Sequence, residues 1–484
     1  MEKIIVGDIT PYETRIAIIE GNVPTQLFYE RSLEKRIIGN VYMGKVTNVL
    51  PGMQSAFVDI GIGKDVFLQV GDMNFALEEG EKPQDVKIQN YVRVGDMIPT
   101  QIIKDAVGNK GARASTCIAL PGRFSVLVPS MKNIGVSKKI PNEKERKRLA
   151  RIGKEVLPNG LGLIMRTISE GMTESDLKTD ILHLVEAYDE LSRKQKVAPE
   201  KTVIHEELPL SMKIVRDYFT DDVLRFALNN KEEYEKILSN CSFLTPLQRA
   251  SLELYEGKAH IFEKFHIDKE IQSCLTPKVW LSSGGYIIIQ VTEALVSIDV
   301  NTGKFTGKKN LSTTVYQTNL SAITEIARQI RLRNLAGIII IDFIDMQNES
   351  HKRDVVNKLR LEFEKDPVKT QIFELTDLGL VQMTRHRIGK PIASVLQESC
   401  PYCEGHGRVN NRETTACKVF AALNNVLKKS RAKKVKVELH PIVADFIKSK
   451  YKNFLQEYQD KFRKPIKVSG IQKLHFSEYH IITL

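Results

Sequence analysis

Two aspartates stand where short apolar runs end. Asp299 closes VSID and Asp342 closes IIIID, with one amphipathic stretch between them. If the segment is a βαβ unit, its right-handed crossover makes the strands parallel and often adjacent. Both carboxylates then lie at strand carboxyl ends, the edge where open α/β sheets bind ligands. Neighbouring strands run about 4.8 Å apart, close enough for two carboxylates to share one hard cation such as magnesium. Asn301, two residues beyond Asp299, could add an oxygen ligand on the same side. A cation held there would activate water and neutralise charge on a phosphate. The plainer possibility is that these aspartates only cap helices or end strands.

A second constellation is CPYCEGHG, residues 400–407. Cys-x-x-Cys followed by Gly-x-Gly has the shape of a zinc knuckle, and a structural zinc needs four ligands. Cys400 and Cys403 supply two. Cys417 or His406 could contribute within the chain, or a second chain could supply its own pair. The rival is a redox dithiol, since CPYC also looks like a glutaredoxin active site, although that motif belongs after an early strand of a small fold. Phe57, Phe67 and Lys110 form a third group. Aromatics exposed on a small barrel stack on bases while lysine tracks the phosphates, whereas either phenylalanine alone reads more simply as core. The fourth is Arg166-Thr167 after the strand GLGLIM: a guanidinium fork beside a hydroxyl could hold a terminal phosphate, or form a surface salt bridge.

The elements that must position these groups can be read from periodicity. Residues 3–31 read as three extended runs broken at Thr10-Pro11 and Gly21-Asn22. From Ile37 to about Leu120 short strands with glycine at their corners suggest a small closed barrel. The stretch 173–265, including PLQRASLELYEGKAHIFEKF, reads as helical. Leu320, Ile323, Ala327 and Ile330 align on one helical face with Gly337 as a stop, and Val356, Leu359 and Phe363 align on another. Between these helices, IIIID reads as a strand buried on both faces.

The chain has 484 residues, with 71 Lys and Arg against 59 Asp and Glu, a net charge of +12. Hydrophobic residues make up 42%, which excludes wholesale disorder. The longest apolar runs fall far short of the roughly 18 residues a membrane span needs, and the N-terminus lacks a signal-peptide pattern. Six cysteines, scattered except for Cys400 and Cys403, exclude a disulfide framework, so the expectation is a cytoplasmic protein. Basic runs at 138–154 and 428–436 favour nucleic acid as the partner, because Lys and Arg that neutralise phosphates release counterions.

In the order in which they occur, the barrel, GLIMRT, EALVSIDVNTG, IDFIDM, GLVQMTRHR and CPYCEGHG resemble the bacterial ribonuclease E/G family across essentially the whole chain. With no long acidic or proline-rich scaffold after the catalytic half, the resemblance falls on the ribonuclease G side of that family. It implies a magnesium-dependent endoribonuclease cutting single-stranded A/U-rich RNA to 5′-phosphate and 3′-hydroxyl ends. Ribosomal, transfer and messenger precursors are the implied substrates. It implies magnesium on Asp299 and Asp342, with Asn301 orienting it. It also implies one zinc shared by Cys400 and Cys403 with the same pair of a second protomer, in a homodimer or homotetramer. Phe57, Phe67 and Lys110 would contact RNA, and Arg166 and Thr167 would grip a 5′-monophosphate.

The implied fold class is a multidomain α/β protein. An RNase H-like part (1–36 and 215–278) is split by an OB-fold barrel (37–118) and a 5′-end sensor region (119–214). A DNase I-like catalytic α/β part (279–399), a zinc link (400–415) and a small α/β dimerisation domain (416–484) follow. The sequence departs from the family's best-known pattern at Lys138, Lys139 and Lys369, where arginines are expected around the sensor. Lysine lacks the bidentate fork, so discrimination between 5′ ends should be looser. The rival from another class is a non-catalytic RNA-binding protein, which has no need of paired strand-end carboxylates.

Overall fold

The computed structural model describes residues 2–33, 37–74, 87–106, 111–241, 243–303 and 311–484. The chain divides into two compact units, Met1–Val395 and Leu396–Leu484.

The first unit opens with a meander of Lys3–Ile9, Glu13–Glu20 and Val23–Arg31. Gly21 and Asn22, at φ +57° and +69°, form the two-residue turn that matches strand twist, as Gly and Asn there lead one to expect. Val223–Leu228 then adds in parallel to Lys3–Ile9, and Leu252–Leu254 adds in parallel beyond it. The helical reading of 173–265 holds for Glu174–Val197 and is corrected at Val223–Leu228 and Leu252–Leu254, which are strands. The helix Pro246–Ser251 stops after six residues because LEL is taken up by the sheet, where Leu252 is 5% exposed. Tertiary pairing overrides a short helical period.

Five strands, Val41–Leu50, Ser55–Asp59, Val66–Gln69, Met97–Lys104 and Arg113–Ser115, close into an OB-like barrel. Closure comes from Val41–Leu50 pairing with Met97–Lys104, and Val46, Val58, Leu68, Ile102 and Ala114 fill the inside. Gly44 is needed at the bend, since a Cβ there would lie 2.4 Å from Val58 Cγ1. A four-stranded sheet follows, backed by the helices Glu143–Val156 and Glu174–Val197 over Leu127, Leu149, Leu163 and Ile181. The basic run 138–154 lies largely on the first of these helices. There Arg148 pairs with Glu145 and Arg151 with Glu155, leaving Lys144, Lys147 and Lys154 exposed.

A six-stranded sheet carries the two aspartates. Its order is Lys278–Trp280, Tyr286–Val291, Leu295–Asn301, Gly337–Asp342, Leu380–Arg385, Thr370–Leu375, and only the third and fourth strands are parallel. The helices Leu311–Leu332 and Glu349–Glu364 both cover one face, where Ile298, Ile339, Ile341, Ile323, Ile330 and Leu359 share a core. IIIID is therefore buried on one face only. Ile339 and Ile341 are buried, while Ile338 on the other side is 50% exposed. Mostly antiparallel pairing needs few crossovers, so nothing forces a second helical layer over the other face. The long helix ends at Leu332 rather than at Gly337: Asn334 takes the left-handed position at φ +50°, and Gly337 opens the next strand. Arg331 Nη2 donates to Glu20 Oε2 at 2.6 Å and Arg328 Nη1 to the Pro24 carbonyl at 3.1 Å, tying the helix to the first sheet.

The second unit packs the helices Arg412–Lys429, Pro441–Lys450 and Lys452–Phe462 on a three-stranded sheet of Val435–Leu439, Ile466–Gly470 and Tyr479–Thr483. Among the described residues, no helix is long and apolar enough to cross a membrane.

Candidate active site and its companion sites

Asp299 and Asp342 are direct cross-strand partners in the parallel pair. Strand alternation sends Val296, Ile298 and Val300 into the core, so Asp299 and Asn301 point to the open face of the sheet, as does Asp342. Asn301 Nδ2 donates to Asp299 Oδ2 at 2.8 Å, fixing one carboxylate. Burial, and after it the negative charges of Asp299 and Asp345, raise the Asp342 carboxyl above its ordinary value. Two carboxylates are thus held side by side against their repulsion. That donor set fits magnesium, a hard cation that uses one or two protein carboxylates and keeps water and phosphate oxygens for the rest. Asp345, three residues past Asp342 in IDFIDM, adds a third negative charge beside the pair, and its place in the motif is its signal in sequence.

On the barrel, Phe57 and Phe67 are cross-strand partners whose neighbours Ala56, Val58, Val66 and Leu68 point inward. Both rings therefore stand on the outside, edge to face, with centroids 5.9 Å apart, so neither is core. Lys110 lies outside the described residues.

Arg166 and Thr167 follow the strand Gly162–Met165. Arg166 Nη1 donates to Asp217 Oδ1 and to the Gly122 carbonyl, each at 2.7 Å. Burial alone would raise the Asp217 carboxyl, but hydrogen bonds and charge from Arg216 and Arg166 outweigh it and hold the group low. The Thr167 and Ser137 hydroxyls are 2.9 Å apart, and Ser137 Oγ also accepts from Lys139 N at 3.3 Å. The salt-bridge reading of Arg166 is thus realised, and the hydroxyl beside it belongs to a polar turn. Asp217 and Ser137 carry no signal in sequence, because the first reaches Arg166 only through the helix Leu210–Tyr218, 51 residues away. Lys138, Lys139 and Lys369 are exposed.

In the second unit, the Cys400 thiol is drawn below its ordinary value by the backbone N–H groups of Cys403 and Tyr402, then by the Cys403 side chain. Gly407 N donates to Cys403 Sγ at 3.2 Å and His406 N to the Cys403 carbonyl at 2.8 Å. Gly405 and Gly407, at φ +85° and +67°, make that turn. Amides aimed at sulfur are what a thiolate pair on zinc needs. The following helix begins only at Arg412, so the pair does not sit on a helix N-terminus, where a redox dithiol gains its low thiol pKa. Cys417 lies within that helix and is exposed. Among the described residues no group of three or more His, Cys, Asp or Glu is gathered for a metal, either at Cys400 and Cys403 or at Asp299 and Asp342.

The sequence model of the ribonuclease E/G family matches residues 119–388, and that of its thioredoxin-like domain matches 399–484. Over 483 residues the chain is 39% identical to ribonuclease G of Escherichia coli K12, covering 99% of each protein. It is 36% identical over 486 residues to ribonuclease G of Haemophilus influenzae, again with 99% of each covered. Against ribonuclease E of Escherichia coli K12 the identity is 28% over 494 residues, and the whole chain spans 46% of that longer protein. Identity and the covered share of the relative are both higher with ribonuclease G, and the chain belongs to the ribonuclease E/G family.

Proposed function

We infer that this chain is a magnesium-dependent endoribonuclease. It cuts single-stranded A/U-rich RNA to 5′-phosphate and 3′-hydroxyl ends, faster from a 5′-monophosphate, in ribosomal and transfer RNA processing and messenger decay in the cytoplasm. The observation that carries the reading is the in-register pair Asp299–Asp342 on an open sheet face, with a family of ribonucleases around it. A protein that only binds RNA has no use for two carboxylates that repel both each other and the phosphates.

Asp299 and Asp342 would hold the magnesium, and Asn301 keeps Asp299 oriented through its 2.8 Å hydrogen bond. When bound, the ion supplies an activated water and neutralises charge on the scissile phosphate. Phe57 and Phe67, with Lys110, would stack and track the single strand on the barrel. In domain terms, 1–36 and 215–278 form the RNase H-like part, 37–118 the OB-fold, 119–214 the 5′-end sensor and 279–399 the DNase I-like catalytic part. Residues 400–415 form the zinc link, where Cys400 and Cys403 would share one zinc with a second protomer, and 416–484 the dimerisation domain.

Arg166 keeps its Nε and Nη2 donors for a 5′-phosphate, with Thr167 and Ser137 adding hydroxyls, while Asp217 anchors the guanidinium and offsets part of its charge. A charge-assisted contact contributes roughly 1.5–3 kcal/mol, and this offset places the effect at the lower end, about tenfold in rate. The test is cleavage of one single-stranded RNA bearing a 5′-monophosphate, triphosphate or hydroxyl. The monophosphate should be cut about tenfold faster, and Arg166→Ala should erase the preference while basal cutting continues. No cutting of any of the three would defeat the functional reading, and equal rates on all three would defeat the sensor alone.

A further inference from the structure

The open face of the catalytic sheet continues past the aspartates. Across the strands, Asn301 pairs with Tyr286, and Tyr286 with Trp280 on the edge strand Lys278–Trp280. In the next row, Asp342 pairs with Asp299, Asp299 with Ile288, and Ile288 with Lys278. Val279, Ile287 and Ile289 point to the helical side, so Lys278, Trp280 and Tyr286 share the face of Asp299 and Asp342. At about 4.8 Å per strand, Tyr286 stands one strand and Trp280 two strands from Asn301. Trp280 is 61% exposed. Its ring meets Tyr286 at 5.4 Å between centroids and 67° between planes. Lys278 Nζ lies 4.2 Å from the Trp280 ring centroid and 3.8 Å from that of Tyr286.

We propose that Trp280 and Tyr286, with Lys278, form a base-stacking platform for the single-stranded RNA running from the scissile phosphate toward the sheet edge. Large exposed rings interleaved with a cation are the composition that binds single strands, because every base has a π-face and every linkage a charge. The bland alternative is a cation–π cluster that only stabilises an edge strand. Such a cluster does not explain why the chain's single tryptophan is left largely in solvent on the face and in the rows that carry Asp299 and Asn301. The platform rests on the reading of Asp299 and Asp342 as the cutting site, and it names the substrate contacts of that site.

Because Trp280 is the only tryptophan among 14 tyrosines, emission excited at the red edge, where tyrosine does not absorb, reports on this surface alone. Full-length Asp299→Asn protein, which the site reading makes non-cutting, is titrated with a 12-nucleotide single-stranded RNA while dye anisotropy follows binding. Trp280 emission should be quenched in step with binding, and an abasic replacement at one fixed offset from the cut should abolish the quench. In the otherwise wild-type protein that abasic RNA should be cut about tenfold less efficiently. Trp280→Ala should already have lost that factor and gain no further penalty from the abasic site, whereas Trp280→Phe should keep most of it. Binding by anisotropy with unchanged emission, or an abasic penalty equal in wild type and Trp280→Ala, overturns the platform. Continued cutting by Asp299→Asn instead overturns the site reading, so the two failures are told apart.

Discussion

Asp299→Asn and Asp342→Asn should each lower cleavage of single-stranded RNA by about a thousandfold or more in magnesium, while RNA affinity stays within a few-fold. The size follows from what is lost: one of two protein ligands to an ion that supplies both the activated water and the charge clamp, together several kcal/mol of barrier. Affinity should hold because it comes mainly from Lys and Arg contacts to phosphates, which the substitutions leave alone. Asp342→Asn carries a further signature. Burial and the Asp299 charge raise the Asp342 carboxyl, so its ionised form at neutral pH weighs against the fold. A neutral amide relieves that repulsion, so without magnesium, whose binding would itself stabilise the wild type, the variant should melt at or above the wild-type temperature. Cutting within a few-fold of wild type by either variant would contradict the two-aspartate site. A large fall in melting temperature would mean that activity was lost through unfolding instead.

Cys400→Ser or Cys403→Ser should bring bound zinc close to zero and reduce the assembly to a smaller species by light scattering. Each chain presents two thiolates and a structural zinc takes four ligands, so wild type should carry one zinc per two chains by elemental analysis. Ligands contributed by two chains make metal binding and association the same event, so chelation should split the wild-type assembly as the substitutions do. Cys417→Ser should leave both zinc and assembly unchanged, since Cys417 belongs to the helix Arg412–Lys429 and not to the turn that holds Cys400 and Cys403. One zinc per chain, or loss of zinc from Cys417→Ser, would contradict the shared site.

What could be read from the sequence follows the range of the forces that set it. Gly21-Asn22 specifies its own turn, and the spacing of Val356, Leu359 and Phe363 specifies a buried helical face, because both depend on neighbours a few residues away. Asp299 and Asp342 were legible for the same reason: each ends an apolar run, and a parallel crossover leaves few places for them but side by side. The strand Leu252–Leu254 was not, since it exists only because Phe226–Leu228, far off in sequence, offers a parallel edge. Nor was the single-sided burial of Gly337–Asp342, which depends on both helices choosing the same face. The partners of Arg166 were hidden most completely. Asp217 and Gly122 reach it through the fold alone, and they turn a free guanidinium fork into a half-engaged one. Trp280 and Tyr286 carry no signal in sequence because neither belongs to a motif; only the register across three strands sets them beside Asn301.

The most direct test of the Asp299–Asp342 site is to map the ends that the purified full-length chain leaves on an A/U-rich single-stranded RNA, with and without magnesium. The RNA carries an internal label and is blocked at both termini, so that only an internal cut releases fragments. In magnesium, two fragments should appear, with a 3′-hydroxyl upstream and a 5′-phosphate downstream, and none should appear without the ion or from Asp299→Asn. Equal cutting without magnesium, or fragments ending in 2′,3′-cyclic phosphate, would contradict hydrolysis at a metal held by the two aspartates.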